Sequence, residues 1–411
     1  MRILKIVPQA FYSPRGTPLS AYHRARELLA RGHEVDILTY GVGDPPPGLD
    51  ARLFRARGPH FGRTLCAGPS GRKIWLDVLL FASLIGLLCR KRYDALYAHE
   101  EGALFARVAG AIFRIPYIYD MHSSLPLQIT DWNFSRSRSV VALFRWIERV
   151  CVNGACAIIA ISPAVARAAH RASPDALCIV LTNYFETGEP PESGAREAIR
   201  ARHGVGPKEP LIVYTGSFVA LQALDLLLEA FPRVLASLPG ARLLLVGGAE
   251  AEIAQLRALA ERLGIGGRVI LERARPQAEI PAYLAAADVL VSPRVQGINP
   301  PGKLLSYLAS GRPVVATDTL VHNQLLTAEC AILTRPDAEG LADGLLLGLS
   351  DAALALRLKE ASSRFLERLC CKSTRDAAYE EIVAAVRAAR AQRHGDAPRL
   401  ISSHHSPTHR Q

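Results

Sequence analysis

Short apolar runs of strand length alternate with helix-length segments along most of this chain. The first run is Arg2–Pro8, and Glu34–Tyr40 and Leu211–Ser217 are of the same kind. Such alternation builds a parallel sheet that helices cover on both faces. It stops at 186–195, ETGEPPESGA, which has the proline and glycine content of a linker. The pattern predicts an α/β protein with two doubly wound, Rossmann-like domains facing a central cleft.

The interruption divides the 411 residues into two parts of similar size. We predict an N-terminal domain at 1–186, a linker at 187–209 and a C-terminal domain at 210–370. A last helix is predicted at 371–393, and a return to the first domain is one option for it. The His-rich tail at 394–411 is expected to be disordered. Ligands of doubly wound sheets bind at the carboxyl ends of the strands, so residues directly after strands are the candidate site residues.

The excess of basic residues limits the kinds of molecule that this protein is expected to bind. The formal net charge of +11 fits nucleic acid, an anionic membrane surface or a phosphorylated substrate. Because the cations are spread along the chain, we expect no nucleic-acid partner. The eight cysteines show no CxxC spacing, and the first apolar run is too short for a good signal peptide. A cytoplasmic protein is therefore expected.

The longest apolar run, Ile74–Cys89, has 16 residues, and a spanning helix needs about 20. Arg72-Lys73 precede it and Arg90-Lys91-Arg92 follow it. Two interpretations stay open. One is a buried helix with solvated cations, and the other is peripheral binding to the cytoplasmic face of an anionic membrane.

The segment Val289–Asp318 carries the strongest site signal. A strand ends at Arg294, a Gly/Pro loop through Gly297 follows, and a helix begins at about Lys303. A helix N-terminus beside cations attracts anions, so this segment predicts a diphosphate site. The spacing from Gly297 to Lys303 also resembles a P-loop. Leu304 replaces the required Ser or Thr, and two prolines remove loop amides, which argues against that interpretation.

Polar residues also follow strands in the first domain. Gly16-Thr17 lie in the loop after the first strand, and Gly16 permits close approach of a ligand. His122, in Asp120-Met121-His122-Ser123, is placed to orient or polarise a hydroxyl, although a capping or core histidine fits the same pattern. His99-Glu100 follow the preceding strand, where an acidic helix start is the alternative explanation.

Several segments together resemble one family. They are Tyr214-Thr215-Gly216-Ser217 with the helix pattern at 224–231, the runs 243–248 and 280–294, Asn183-Tyr184, and the loop and helix of 289–318. They are similar to the glycosyltransferases of family 4 (glycosyl transferases group 1), which have the two-domain GT-B fold. The resemblance covers nearly the whole chain.

The resemblance implies transfer of a sugar from a nucleoside diphosphate sugar to a hydroxyl acceptor, with retention, in glycan or glycolipid biosynthesis. It makes the first domain the acceptor side and the second the nucleotide-sugar side, with a carbohydrate or lipid-linked acceptor. His122 is the implied catalytic residue. The implied donor-binding residues are Gly16, Thr17, Gly216, Ser217, Gln222, Arg294, Gly297, Lys303 and Ser306. The acceptor-side residues are His99, Glu100, Asp120 and Ser123.

Three positions depart from the family pattern. Ser217 and Gln222 stand where many members carry an Arg and a Lys, and Ser306 stands where many carry a Glu. Arg294 and Lys303 are the cations available to replace them. No Asp-x-Asp occurs in the sequence, so we expect no metal and no cofactor beyond the donor substrate. A non-catalytic nucleotide-sugar-binding or scaffold protein and a nucleotide-sugar epimerase remain alternatives, whereas the lack of G-x-G-x-x-G after a strand disfavours a dinucleotide oxidoreductase.

Overall fold

This computed structural model describes residues 1–13, 16–56, 58, 71–126, 137–182, 191–297, 300–369 and 371–394. Asn183-Tyr184, the first residues of the predicted linker and the tail after His394 lie outside the described residues.

The first half of the chain forms a seven-stranded sheet whose paired strands are all parallel. The strands are β1 Arg2–Val7, β2 Glu34–Thr39, β3 Arg52–Arg55, β4 Ala95–His99, β5 Tyr117–Met121, β6 Ala157–Ala160 and β7 Cys178–Val180. Their order is β3-β2-β1-β4-β5-β6-β7, so the direction of winding reverses between β1 and β4. Such a switch point opens a crevice at the carboxyl edge of a sheet.

Helices cover both faces of this sheet. They are α1 Gly16–Ala30, α2 Gly71–Leu88, α3 Gly102–Ile112, α4 Arg138–Gly154 and α5 Pro163–Ala172. The last four pack on one face, and α1 packs on the other. In α2 the buried residues are Leu76, Leu80, Leu84 and Leu88, a single stripe at every fourth position. The longest apolar run is therefore a helix that buries one side only.

The second half contains a six-stranded parallel sheet of order β10-β9-β8-β11-β12-β13. Its strands are β8 Leu211–Thr215, β9 Arg242–Gly248, β10 Val269–Arg273, β11 Val289–Ser292, β12 Val314–Thr317 and β13 Ile332–Thr334. The remaining helices are α6 Ala195–Arg202, α7 Leu224–Ser237, α8 Glu250–Arg262, α9 Ile280–Ala286, α10 Lys303–Ala309, α11 Leu320–Asn323, α12 Ala338–Ser350, α13 Ala352–Leu369 and α14 Lys372–His394. The predicted α/β class with two Rossmann-like units is confirmed.

Part of the predicted linker, 187–209, is ordered structure. Helix α6 packs on α9, and Ile199 belongs to the core of the second half. Arg200 is buried and pairs with Asp288 at 3.3 Å while also donating to the carbonyl of Ala286. The predicted linker therefore contains a helix that its composition did not indicate, and the stability of this helix comes from these tertiary contacts.

Helix α14 follows the second half in sequence but packs on the first. Tyr379, Ile382 and Val386 are buried in the core that contains α1. At the same interface Arg375 and Tyr379 both bond to Glu27. The chain therefore crosses between its halves twice.

Within the described residues, we find no helix that combines the length and the apolar character needed to cross a membrane.

Candidate active site

Polar side chains of the first half gather at the carboxyl edge of its sheet, because β1, β4 and β5 are neighbours. Strand β5 extends to Met121, so Asp120 lies within the strand and is fully buried. His99 ends the adjacent β4, with His99 opposite Asp120 in the register. The structure thus brings His99, Asp120 and His122 together.

Asp120 is the centre of this group. Its Oδ2 lies 3.2 Å from Nδ1 of His99 and accepts a 3.0 Å hydrogen bond from the hydroxyl of Tyr97. Its Oδ1 lies 3.2 Å from Nε2 of His122. Burial opposes ionisation, but His122, His99 and the Arg24 guanidinium hold the pKa of Asp120 well below its usual range. The carboxylate therefore stays charged and fixes the orientation of the His122 ring.

Lys5 lies under the same group. It is fully buried in β1, and its Nζ sits 3.6 Å from the centre of the Tyr97 ring. Burial lowers the pKa of Lys5 to about 7, against the opposing attraction of Asp120. Burial and the Lys5 charge also keep the pKa of His99 well below its ordinary value, so His99 is neutral. Lys5 was not among the predicted site residues, although a lone lysine inside an otherwise apolar strand was an available signal.

Glu100 follows β4 with a left-handed backbone, φ 48°, which is uncommon for a residue other than glycine. Its carboxylate is buried and accepts a 3.1 Å hydrogen bond from the hydroxyl of Ser123. Burial raises the pKa of Glu100 to about 7. The next residue, Glu101, pairs with Lys73. The predicted acceptor-side residues are therefore all buried beside His122, with Glu100 bonded to Ser123 and His99 facing Asp120.

Among the described residues, one set could hold a metal ion, namely His99, Asp120 and His122, whose ligand atoms lie within 4.8 Å of one another. Both carboxylate oxygens of Asp120 already face partners. The cationic charge of Arg24 and Lys5 opposes a divalent cation nearby. The charges around the set favour a proton-bearing group over a metal centre.

The predicted donor-side residues meet at the carboxyl edge of the second sheet. Lys303, the first residue of α10, donates a 3.1 Å hydrogen bond from Nζ to Oε1 of Gln222, which follows β8. The same Nζ lies 3.5 Å from the centre of the Tyr214 ring. Gly216 has φ 138°, and a Cβ there would lie 3.3 Å from Nζ. Gly216 thus leaves room beside the lysine.

The ammonium of Lys303 has no carboxylate among these contacts. Desolvation and the charge of Arg294 lower the pKa of Lys303 well below its ordinary value. Arg294 is held by a 2.7 Å hydrogen bond from Nε to the carbonyl of Gln296. Gly297, with φ 107°, lies against its guanidinium. Two cations therefore share one small region, an arrangement that an anion would stabilise.

The remaining donor-side predictions have other surroundings. The carbonyl of Ser217 accepts a 2.8 Å hydrogen bond from the Tyr214 hydroxyl. Ser306 is partly buried on α10, directly before Tyr307, whose hydroxyl accepts from the amide of Thr215 at 2.7 Å. Gly16 and Thr17 form the start of α1 in the first half of the chain, whereas Lys303 and Gln222 lie in the second half.

His322 on α11 is a buried residue that the sequence analysis did not single out. Its Nδ1 donates to the carbonyl of Thr317 at 2.8 Å, and its Nε2 accepts from the hydroxyl of Ser292 at 2.9 Å. Burial lowers the pKa of His322 to about 4, helped by the charges of Lys303 and Arg294. A neutral histidine here joins the ends of β11 and β12 beneath the two cations.

Two family models match the chain. The model described as "Glycosyl transferase 4-like domain" matches residues 15–183, and the model described as "Glycosyl transferases group 1" matches residues 209–351.

Curated relatives are similar over shorter stretches. The chain is 34% identical over 132 residues to a GDP-mannose-dependent alpha-(1-6)-phosphatidylinositol monomannoside mannosyltransferase of Mycolicibacterium smegmatis, which is 31% of this chain and 34% of that protein. It is 35% identical over 103 residues to a D-inositol 3-phosphate glycosyltransferase of Segniliparus rotundus, 24% of this chain and 23% of that protein. A 2-deoxystreptamine N-acetyl-D-glucosaminyltransferase of Streptomyces fradiae is 26% identical over 75% of each chain. The chain thus spans about a third of the length of the first relative and about a quarter of the length of the second.

Solved structures share the architecture. HepE of Anabaena in complex with UDP superposes with a TM-score of 0.73 and 19% identity, covering 93% of this chain and all of that one. WaaG, a glycosyltransferase involved in lipopolysaccharide biosynthesis, gives 0.66 with 17% identity and covers 89% of this chain and 95% of that one. At these identities the likeness shows the fold, which is GT-B.

Proposed function

This chain belongs to the glycosyltransferases of family 4 (glycosyl transferases group 1), and from that premise we propose that it moves a sugar from a nucleoside diphosphate sugar to a hydroxyl acceptor. The finer parts of the proposal are a hexosyl donor, retention of anomeric configuration and transfer without a metal ion. Retention and the hexosyl donor rest on the family resemblance, whereas transfer without a metal ion rests on the residues at the two sheet edges.

The observation that carries the proposal is the pair of cations after β11. Lys303 contacts the amide of Gln222 and the ring of Tyr214, and the charge of Arg294 lies near it. A diphosphate seated there would accept charge-assisted hydrogen bonds from both groups. In the transition state the leaving diphosphate gains charge, so fixed cations stabilise it more than they stabilise the bound donor. This accounts for the departures at Ser217 and Gln222, because Gln222 orients the lysine.

On the acceptor side we assign the chemistry to His122, with Asp120 as its positioning residue. The carboxylate of Asp120 lies 3.2 Å from Nε2 of His122, so it can orient the ring towards the sugar or the acceptor hydroxyl. Glu100, whose pKa is about 7, can accept or share a proton at neutral pH beside it. Closure of the cleft would exclude the water that otherwise hydrolyses the donor.

The acceptor class follows from chemistry named for the relatives. Phosphatidylinositol monomannoside, D-inositol 3-phosphate and 2-deoxystreptamine all contain a polyhydroxylated six-membered carbon ring. We propose a carbohydrate or cyclic polyol acceptor, free or lipid-linked, used in glycan or glycolipid biosynthesis at the cytoplasmic side. The charge of +11 supports an anionic surface as a further partner.

A thermal-shift screen tests the donor assignment. Wild-type protein is mixed with UDP-, GDP- and ADP-sugars, and bound donor should raise the melting temperature by mass action. The same screen with Lys303→Ala should lose the shift, whereas Lys359→Ala, an exposed lysine of the same half, should keep it.

Product analysis then separates the alternatives. Donor consumption only in the presence of an acceptor supports transfer. An altered nucleotide sugar without acceptor would indicate an epimerase, and binding without any turnover would indicate a non-catalytic protein.

A further inference from the structure

Helices α2, α3 and α4 lie next to one another on one face of the first sheet, and their outer side is unusually apolar. Contacts join α2 to α3 and α3 to α4, and the rings of Phe81 and Phe105 meet at 5.7 Å. Their exposed large hydrophobic residues are Ile74, Trp75 and Val78 on α2, Val108 and Ile112 on α3, and Leu143 and Trp146 on α4. We call this surface the α2–α4 face.

These are seven of the thirteen exposed large hydrophobic residues in the described part of the chain, so the apolar exposure is concentrated here. Ile74 is 64% exposed and Trp146 is 61% exposed. Two exposed tryptophans on one layer of helices are costly in water unless something covers them.

The charges on this face have one sign. The exposed charged residues of these helices and of the loops that follow α2 and α3 are Arg90, Arg92, Arg114, Arg138, Arg145 and Arg149. The acidic residues of the described segments 71–92, 101–114 and 137–154 are all engaged elsewhere. Asp77 accepts from Tyr40, Glu101 pairs with Lys73, and Glu148 accepts from Ser124 and the Leu125 amide.

The arginines also have an ordered arrangement. Arg138, Arg145 and Arg149 follow one another at spacings of seven and four residues, so they form one stripe along α4. Leu143 and Trp146 form a second stripe next to it. An amphipathic helix that presents tryptophan beside arginine can place the ring at the level of lipid headgroups while the guanidinium groups contact phosphates.

We propose that the α2–α4 face docks on an anionic lipid bilayer, with the apolar residues at the headgroup boundary and the six arginines on lipid phosphates. A second copy of the chain is a poorer occupant, because a two-fold interface would place arginines against arginines, and the described residues of this face offer no exposed carboxylate to pair them. This inference rests on the proposed function only in that a lipid-linked acceptor would reach the first half from the bilayer.

Co-sedimentation with vesicles tests the proposal without any sugar substrate. The full chain is mixed with vesicles of phosphatidylcholine alone or with one third phosphatidylglycerol, at low and high salt. We expect binding to the anionic vesicles, weakened by salt. Binding to both vesicle types alike, or to neither at low salt, would overturn the proposal.

Variants locate the surface. Arg145→Glu with Arg149→Glu should weaken binding to anionic vesicles about tenfold or more, because each basic residue near the surface contributes about 1 kcal/mol. Trp75→Ser with Trp146→Ser should weaken it similarly and abolish the blue shift of the fluorescence that those rings give. The matched controls are Arg257→Glu and Leu356→Ser, exposed residues of the second half, which should bind as wild type.

Equal losses in the controls would refute this location. A concentration-dependent dimer that dissociates in Trp75→Ser with Trp146→Ser, without vesicle binding, would assign the face to a second copy. Because the assay measures binding alone, lipid binding without sugar transfer would refute the proposed function and leave this surface standing.

Discussion

The side chain of Lys303 is cationic, but burial and the nearby charge of Arg294 disfavour its charged form. Replacing it by alanine should weaken donor binding by about 1.5–3 kcal/mol, the usual contribution of a charge-assisted hydrogen bond. Titration calorimetry with the preferred nucleotide sugar measures this, with Lys359→Ala as the control. Unchanged affinity in both Lys303→Ala and Arg294→Ala would remove the diphosphate from this site.

The lowered pKa of Lys303 gives a second prediction. In the free protein part of the amine population is neutral at a pH above that pKa, and a bound diphosphate stabilises the charged form. Donor binding should therefore take up protons, and affinity should fall as pH rises. Calorimetry in two buffers of different ionisation enthalpy detects this uptake, which should disappear in Lys303→Ala. Proton release on binding in the wild type would contradict the assignment.

Substitutions of His122 and Asp120 should slow the chemical step without weakening donor binding. His122→Ala should lower kcat by about a hundredfold or more while leaving the donor Kd near that of the wild type, as expected for a group at the reacting centre. Asp120→Asn should lower kcat too, because the carboxylate orients the ring. A fully active His122→Ala would make this histidine structural.

Position after a strand predicted many candidate side chains, including Lys303, Arg294 and His122. It could not supply their partners. Lys303 meets Gln222 across 81 positions of sequence, and Tyr307 meets Thr215 across 92. Lys5 and Tyr97 lie inside strands whose pattern is apolar, so their polar contacts depend on sheet order, which the alternation alone does not fix.

The periodicity of the sequence predicts where strands and helices lie, but it does not predict which of these elements pack against one another. The alternation predicted the parallel sheets. It did not predict helix α6, which lies in the predicted linker, because the stability of α6 comes from packing on α9. For α14 the pattern gave the helix but left its destination open, since its amphipathic face fits many surfaces. Burial of Tyr379 in the core that contains α1 shows that α14 packs on the first half of the chain.

The docking of α14 can be tested at Tyr379. The side chain is 1% exposed, and its hydroxyl bonds to Glu27. Tyr379→Ala should destabilise the protein by about 3–5 kcal/mol through loss of packing, and Tyr379→Phe by about 1 kcal/mol through loss of the hydrogen bond. Urea unfolding measures both, with exposed Glu380→Ala as the control. A neutral Tyr379→Ala would show that α14 is not docked in solution.

At the scale of the whole molecule, the role that we propose for the cations of the second half is the one that a metal ion holds in some other transferases. Activity should therefore survive EDTA at full rate. The measurement is a transfer assay before and after chelation, with added magnesium or manganese as the control. Loss of activity that either ion restores would instead direct attention to His99, Asp120 and His122.

The return of α14 has a consequence for how this protein can be divided. The body that contains the first sheet is assembled from both ends of the chain, and Arg375 donates to the carbonyl of Thr182, just where the chain leaves that body. A cut in the linker would yield two fragments that still hold together, because the larger one carries the helix that completes the smaller. The protein is thus suited to fragment complementation, in which two separately made pieces reconstitute the fold. If the first half were expressed alone, the hydrophobic surface against which Tyr379 packs would be exposed to solvent.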